Sequence, residues 1–254
     1  MTGTFTPAPG AASLPKQVGA HALMEARLLL RNGEQLLLSM VIPILALVVG
    51  VISSDRLGLE FSHSGVDTFT PGVMALAVMS TSFASLAIAT GFERRYGVIK
   101  WLGASPLPRH GLLLGKVSAL LIVQCFQLSI ITLVAWLLGW HPQPGFLPFL
   151  AGICLGTAAF AALGMFIAGL LRAEATLALA NLIYLLLMAG GAIVLPASAY
   201  GSFARVTPLL PSGALGDTLR EALQSGSWNL QGLLVLAGWA ALGTVATART
   251  FKWD

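Results

Sequence analysis

The stretch that decides the fold is residues 93–109, which read ERRYGVIKWLGASPLPR. It holds four cations against a single acid, Glu93, and long apolar runs flank it on both sides. Charges at the centre of a bilayer are costly, so a charged segment between two apolar runs belongs at a membrane–water interface. The sequence therefore predicts a membrane protein in which this stretch lies on a surface between two spans.

The composition supports this prediction. The chain has 254 residues, of which 56% are hydrophobic and only 9% are charged, whereas about 25% of the residues of a soluble domain are charged. So few polar groups cannot cover the apolar surface, and lipid must form part of the solvent. The net charge of +4 comes from cations beside apolar runs. This pattern indicates orientation in a membrane rather than binding of nucleic acid.

Six apolar runs are predicted to be transmembrane helices, which makes the fold class an all-α integral membrane protein. Mixed charges and leucines at residues 15–35 predict an N-terminal interfacial helix, with a plain extension of the first span as the alternative. A short helix beginning near Ser212 cannot cross a bilayer and is predicted on the outer side between spans five and six. The predicted disordered cytoplasmic tail is residues 1–15, the single transmembrane domain is residues 16–254, and the spans are residues 36–52, 71–91, 112–138, 146–171, 176–195 and 230–248.

Six spans place both termini on the same side, and the basic residues indicate which side this is. Of the 14 lysines and arginines, eleven fall on the side of the termini and three, Arg56, Arg205 and Arg220, on the other. Basic residues concentrate on the cytoplasmic side of membrane proteins. The chain is therefore predicted to be a multi-pass protein of the cell (inner) membrane with both termini, and the basic stretch, in the cytoplasm.

Within the basic stretch, Phe92, Tyr96 and Ile99 recur at a spacing that puts their side chains on one helical face. Gly103 can end such a helix, and the prolines after it prevent its return. The pattern predicts a short amphipathic helix over about residues 92–103, between spans two and three.

The sequence shows no pattern typical of catalysis or nucleotide binding. Residues 111–116, GLLLGK, resemble a phosphate-binding loop but have one residue too few between the glycines, and no Ser or Thr follows. The four histidines are scattered without a metal-ligand or catalytic spacing, and Cys125 and Cys154 lie inside apolar runs. No carboxylate lies in the middle of a predicted span, as ion-driven carriers usually require. We therefore expect no catalytic, cofactor-binding or metal site, and no enzyme activity in this chain by itself.

Polar residues inside the spans are candidates for lining a translocation path. They are Ser82, Gln124, Gln127 and Asn181. The two glutamines are three residues apart and face the same way, which makes them the best candidates. The alternative is that these side chains hydrogen-bond neighbouring helices. Small residues spaced by four in span four are expected to let another helix approach closely; they are Gly152, Gly156 and Gly164.

The motifs around the basic stretch resemble those of a known family. Pro71-Gly72 opens span two, Glu93-Arg94-Arg95 precedes Gly97, and residues 102–109, LGASPLPR, contain a Leu-x-x-[Ser/Thr]-Pro-Leu turn. With the order of helices, these motifs resemble the ABC-2 type permease, the membrane subunit of ATP-binding-cassette exporters of the daunorubicin-resistance-like kind, over about residues 16–252. Tyr96 and the short loop between spans one and two depart from the family pattern and leave substrate and subfamily open.

This resemblance implies partners and a mechanism. Two permease chains, identical or homologous, would pair within membrane lipid, and each would dock one of two ABC ATPase subunits that bind ATP and Mg²⁺. Closure of the ATPase would move the helix at residues 92–103, and spans two and three with it. Membrane topology alone is the alternative explanation of the cations. The residues implied to contact the ATPase are Glu93, Arg94, Arg95, Tyr96, Gly97, Ile99, Lys100, Trp101, Ser105 and Pro106.

The function implied by the resemblance is that of a permease subunit of an ATP-driven exporter. Apolar spans with few charges favour a lipophilic drug, a lipid or a similar solute as cargo, as in multidrug efflux. Two alternatives stay open at this point: a membrane anchor or assembly protein for a soluble partner, and a secondary transporter. The sequence identifies neither the cargo nor whether the second permease chain is identical.

Overall fold

The computed structural model describes residues 12–31, 33–57, 64–103 and 107–250. These residues form helices joined by turns, without a strand in these ranges, in agreement with the predicted all-α class. A π-helical segment, Ser80–Ser85, joins α3 to α4, and two 3-10 segments, Ala197–Arg205 and Thr207–Leu209, precede α9. The α-helices are α1 Leu14–Arg31, α2 Gly33–Leu57, α3 Gly65–Met79, α4 Leu86–Arg95, α5 Val98–Gly103, α6 Arg109–Leu137, α7 Phe146–Leu170, α8 Ala173–Gly190, α9 Pro211–Gln224 and α10 Leu230–Thr250.

Five helical elements in these ranges are long and apolar enough to cross a membrane, and they correspond to predicted spans two to six. The first predicted span, residues 36–52, falls in the 25-residue helix α2, and Ser39–Ser54 is the apolar stretch of α2 within the described side chains. The six-span layout therefore stays a prediction, whereas several membrane-crossing helices are present. The five elements are Gly65–Arg95, His110–Leu137, Phe146–Leu170, Ala173–Gly190 and Leu230–Thr250.

The Gly65–Arg95 element is the most buried of the five and lies at the centre of the bundle. It begins at Gly65 rather than near residue 71, and it continues through Pro71. A proline has no N–H to donate to the carbonyl four residues earlier, here that of Asp67. Gln224 of α9 donates to that carbonyl from Nε2 at 2.8 Å. A side chain from a distant helix thus satisfies the group that Pro71 leaves unbonded.

Helix α7 packs closely on two elements through its glycines. A Cβ at Gly156 would lie 2.7 Å from Cδ1 of Leu215 in α9, and Gly152 also faces α9. A Cβ at Gly164 would lie 2.9 Å from the carbonyl oxygen of Phe83 in the π-helical segment. Any larger side chain at these positions would separate the helices.

The predicted span at residues 176–195 extends beyond the C-terminal end of the helix, because α8 stops at Gly190 and Ala192 has a φ of 53°. A left-handed residue cannot continue a right-handed helix. Arg220 of α9 holds the chain in this bend, since its Nη2 donates to the carbonyl of Ile193 at 2.8 Å. Helix α9 is too short to span a bilayer and is buried against α3, α7 and α10.

Helix α1 covers most of the predicted interfacial helix and lies along α6. His21, Ala22 and Ala26 are buried on its inner face. A Cβ at Gly115 of α6 would overlap the ring of His21 at Cδ2, so the glycine lets the imidazole ring pack against the α6 backbone. The opposite face exposes leucines such as Leu28, as expected of a helix that contacts lipid headgroups and acyl chains.

Candidate functional site

The end of the Gly65–Arg95 element carries three consecutive charged residues, Glu93, Arg94 and Arg95, called the triplet below. Successive residues of an α-helix point about 100° apart around its axis. Three neighbours in sequence can therefore reach three different neighbours in space. In the structure, each residue of the triplet contacts a different helix.

A buried lysine ties Glu93 to α6 and α1. Lys116 Nζ donates to Glu93 Oε1 at 2.8 Å and to Glu25 Oε1 at 2.9 Å. Lys116 is only 8% exposed, and a buried ammonium group is tolerated only when opposite charges and hydrogen bonds surround it. Two carboxylates from different helices meet that requirement. The Glu25–Lys116–Glu93 cluster thus joins α1, α6 and α4.

His21 lies beside this cluster, with its Nε2 3.6 Å from Glu25 Oε1. Burial lowers the pKa of His21, the Glu25 carboxylate opposes this effect, and the Lys116 ammonium adds to it. The net lowering keeps the imidazole neutral at pH 7. It therefore adds no second positive charge next to Lys116.

Arg94 caps the end of α7. Its Nη1 donates to the carbonyl oxygens of Ala168, Gly169 and Leu171. The last carbonyls of a helix have no partner within the helix and carry the negative end of its dipole. A guanidinium group satisfies both features, because it supplies donors and a positive charge. Arg94 therefore has a structural role within this protein, whether or not it also contacts a partner.

Arg95 completes the triplet by pairing with Glu174 in the first turn of α8. Both side chains are largely exposed, so the pair contributes at most about 1 kcal/mol to stability. Next to the pair lies a cavity of about 470 Å³ between the end of α4 and residues 170–174. The α7–α8 turn and the end of α4, with Arg94 and Arg95, therefore form the two walls of one cleft.

The structure corrects the predicted helix over residues 92–103. Helix α4 ends at Arg95, Gly97 has a φ of +73°, and a second short helix, α5, begins at Val98. Phe92 and Tyr96 still stack, with ring centroids 6.2 Å apart, because both precede the break. The left-handed residue Gly97 interrupts the helical period after Tyr96, so a continuous helix over residues 92–103 does not form. The glycine within the pattern was a signal for this break.

Residues 92–103, where α4 ends and α5 follows, are called the α4–α5 segment and expose large side chains. Tyr96 is 70% exposed and Trp101 is 82% exposed, and Val98 and the cation Lys100 are exposed beside them. Aromatic side chains next to cations are typical of surfaces that bind another protein. The side chain of Ile99 and all of Ser105 and Pro106 lie outside the part of the chain that the structure describes.

Comparison with known proteins assigns the chain to a family. A sequence profile described as ABC-2 type transporter matches residues 16–220, which is most of the chain. The chain belongs to the ABC-2 type transporter family. A Bacillus subtilis (strain 168) protein, provisionally named transport permease YvfS, is 24% identical to it over 230 residues, covering 87% of this chain and 91% of the relative.

Membership of the ABC-2 family confirms the resemblance seen in the sequence. ABC-2 proteins are membrane components of transporters, generally have no enzymatic activity by themselves, and work with an ABC ATPase. Together with the apolar helices, this identifies a multi-pass membrane transport permease. In the described residues of this ABC-2 permease, no cluster of three His, Cys, Asp or Glu side chains could hold a metal ion.

The two glutamines of α6 face the same way, as predicted, and each is 1% exposed. Gln124 Nε2 donates to Ser82 Oγ at 2.6 Å, and Thr157 Oγ1 donates to Gln124 Oε1 at 2.8 Å. Thr81 Oγ1 donates to Gln127 Oε1 at 2.7 Å. In this conformation, these side chains bond the central element to α6 and α7.

The structure brings together three of the four predicted path residues, because Ser82 bonds Gln124 and Thr81 of the same segment bonds Gln127. Asn181 is apart from them and exposed on α8. The π-helical segment positions the hydroxyl groups of this network, and such segments are frequent at functional sites. A role in lining a path stays a prediction for all four residues.

Sequence reasoning missed three charged residues of the site: Glu25, Lys116 and Glu174. Lys116 had a detectable signal, because a lone cation within the apolar part of a span requires a buried partner. Glu25 and Glu174 had no such signal, since their roles depend on Lys116 and Arg95, which are 91 and 79 positions away in the chain.

Proposed function

We propose that this chain is the transmembrane subunit of an ATP-driven exporter and that a separate ABC ATPase docks on the α4–α5 segment at its cytoplasmic face. The observation that carries this proposal is the triplet: one short segment next to exposed aromatic side chains is tied to α1, α6, α7 and α8. A force applied to such a segment reaches most of the bundle through direct polar contacts.

The contacts suggest how this force is distributed. Glu93 acts on Lys116 of α6, Arg94 acts on the last turn of α7, and Arg95 acts on the first turn of α8. The family resemblance implies movement of spans two and three with the helix. With these contacts, the spans formed by α7 and α8 would move with the segment as well. Rearrangement of several spans is what alternating exposure of a cargo site requires.

The energy source lies in the proposed partner. The chain has no complete phosphate-binding loop, so ATP and Mg²⁺ would bind to the ATPase subunit, present in two copies per complex with a second permease chain. The cytoplasmic placement of the segment and of both termini follows from the eleven-to-three distribution of basic residues. The favoured cargo is a lipophilic drug, a lipid or a similar solute, because the spans carry few charges.

The test uses exposed tryptophans at the two ends of the bundle. The ATPase that co-purifies with the tagged wild-type chain is identified by its Walker motifs, expressed separately, and titrated onto the chain in phosphatidylcholine nanodiscs. Trp101→Ala should weaken binding at least tenfold, because exposed aromatic residues dominate the binding energy of interfaces. Trp136→Ala, which removes a 65%-exposed tryptophan at the far end of α6, should leave binding unchanged.

Transport assays in proteoliposomes complete this test. Export should require both proteins and ATP, and it should persist when a proton ionophore collapses the ion gradient. Export by the purified chain without ATPase would indicate a secondary transporter. Tight ATPase binding without any ATP-dependent export of lipophilic solutes would indicate an anchor. Either result would overturn the proposal.

A further inference from the structure

The cleft beside the triplet is lined in part by residues that do not belong to the α4–α5 segment. Its walls are the end of α4, with Gly91, Arg94 and Arg95, and residues 170–174 of the α7–α8 turn. The two walls approach closely, since a Cβ at Gly91 would lie 3.3 Å from Cγ2 of Thr176 in α8. The cleft therefore lies between two elements that are distant in sequence and opens next to the segment assigned to the ATPase.

The two walls are held together as one surface. Arg94 donates to three carbonyls around the end of α7, and Arg95 pairs with Glu174 at the start of α8. A partner that contacts the exposed aromatic residues of the α4–α5 segment would meet the α7–α8 turn in a constant position. Preorganised surfaces of this kind bind with less loss of conformational entropy.

The charge around the cleft is positive. Arg172 is exposed in its lining and Lys100 is exposed on the adjacent α5. The single carboxylate of the lining, Glu174, is paired with Arg95. The surface that best complements this rim is acidic.

We propose that an acidic segment of the ATPase subunit enters this cleft and contacts Arg172, so that the docking surface consists of the α4–α5 segment and the α7–α8 turn. This inference rests on the proposed function, since it names a second contact for the same partner. It predicts that the ATPase acts directly on the turn between two spans, and not on the α4–α5 segment alone.

The experiment compares two charge reversals at the same end of the bundle. The chain is prepared in phosphatidylcholine nanodiscs, and the recombinant ATPase subunit described above is the titrant. Arg172→Glu should weaken binding at least tenfold, because like charges would then face each other across the interface. Arg172→Lys should bind within about threefold of the wild type. Arg249→Glu, an exposed arginine in the last turn of α10, should bind like the wild type.

A cross-linking measurement keeps the inference testable if Arg172→Glu fails to fold. Arg172→Cys is placed in a background with Cys125→Ala and Cys154→Ala, which removes both native cysteines. A short bifunctional reagent should link position 172 to an acidic segment of the ATPase, identified by mass spectrometry. The matched variant Arg249→Cys should give no link.

The outcomes separate this inference from the proposed function. If Trp101→Ala weakens binding but Arg172→Glu does not, and no cross-link forms, the second contact is wrong and the proposed function stands. If neither Trp101→Ala nor Arg172→Glu changes binding, both proposals fail. If Arg172→Glu changes only the binding of phosphatidylglycerol, measured in mixed-lipid nanodiscs, the cleft is a lipid headgroup site and the inference is overturned.

Discussion

The role of each residue in the triplet is decided by what surrounds it rather than by its charge. Arg94 and Arg95 are identical in type and adjacent in sequence, yet one caps α7 and the other forms an exposed pair with α8. The same distinction separates Lys116, which is buried between two carboxylates, from Lys100, which is exposed on α5. Burial therefore makes some cations of the basic stretch structural and leaves others available to a partner.

Lys116→Met tests this distinction at the residue scale. Removing the ammonium leaves Glu25 and Glu93 facing each other in a buried site, so the free energy of unfolding should fall by about 3–5 kcal/mol. Denaturant unfolding in detergent micelles measures this change. Lys100→Met, which removes an exposed charge, should change stability by no more than about 0.5 kcal/mol.

A companion variant separates loss of charge balance from loss of packing. Combining Lys116→Met with Glu25→Gln and Glu93→Gln removes the whole charged cluster, and it should recover much of the lost stability. If Lys116→Met is as stable as Lys100→Met, the cluster does not hold α1, α4 and α6 together.

At the scale of elements, the break at Gly97 decides how the α4–α5 segment is presented. In a continuous helix, Trp101 would point about 140° away from Tyr96 around the axis, because successive residues are about 100° apart. The left-handed glycine instead lets Tyr96 and Trp101 both be exposed while Glu93 and Arg94 point into the bundle. The segment thus combines an outer face for a partner with inner anchors for the spans.

Gly97→Ala should disturb this arrangement through the backbone. No atom lies within 4 Å of the added Cβ, so the cost of about 1–2 kcal/mol comes from the left-handed conformation. We expect reduced ATP-driven export per ATP hydrolysed in proteoliposomes. Gly139→Ala is the matched control, because Gly139 has a φ of +88° in an open site at the far end of α6. Equal coupling in the two variants would show that the break has no role in transmission.

The polar contacts inside the bundle also act between elements. The hydroxyl groups of the π-helical segment and the glutamines of α6 bond one another in the closed interior. In membranes such bonds are worth about 0.6 kcal/mol on average, so the network orders the helices more than it stabilises them. The network lies at the π-helical segment, where the helical pitch changes locally, and such segments are frequent at functional sites.

At the scale of the whole molecule, two ends of the bundle can be distinguished. One end carries the triplet, α5 and the α7–α8 turn, and the other carries α9 and the turn between α6 and α7. The basic residues concentrate at the first end, which predicts that it faces the cytoplasm.

Cysteine accessibility tests this orientation. In the background with Cys125→Ala and Cys154→Ala, Gln143→Cys should react with a membrane-impermeant maleimide on intact cells. Lys100→Cys should react only after permeabilisation, because the bilayer keeps the reagent from the cytoplasmic side. Both positions are exposed in the structure. The reverse labelling pattern would place the α4–α5 segment outside the cell and exclude docking of an ATPase.

Much of the fold and part of the site could be predicted from local patterns. The apolar runs predicted the five membrane-crossing elements to within a few residues, apart from the overextended end of α8 and the early start at Gly65. Those two errors arose from residues distant in sequence, because Gln224 supports the helix through Pro71 and Arg220 holds the bend after Gly190.

The sequence by itself determined the membrane class, the basic stretch and the family, since these depend on composition and on motifs of neighbouring residues. Only the tertiary structure decided which helix each charge of the triplet reaches, and that Asn181 is exposed while Gln124 is buried. It also assigned Lys116 to the inside and Arg172 to the surface of a cleft. The physical reason is that burial and pairing arise between residues far apart in the chain, which no local pattern records.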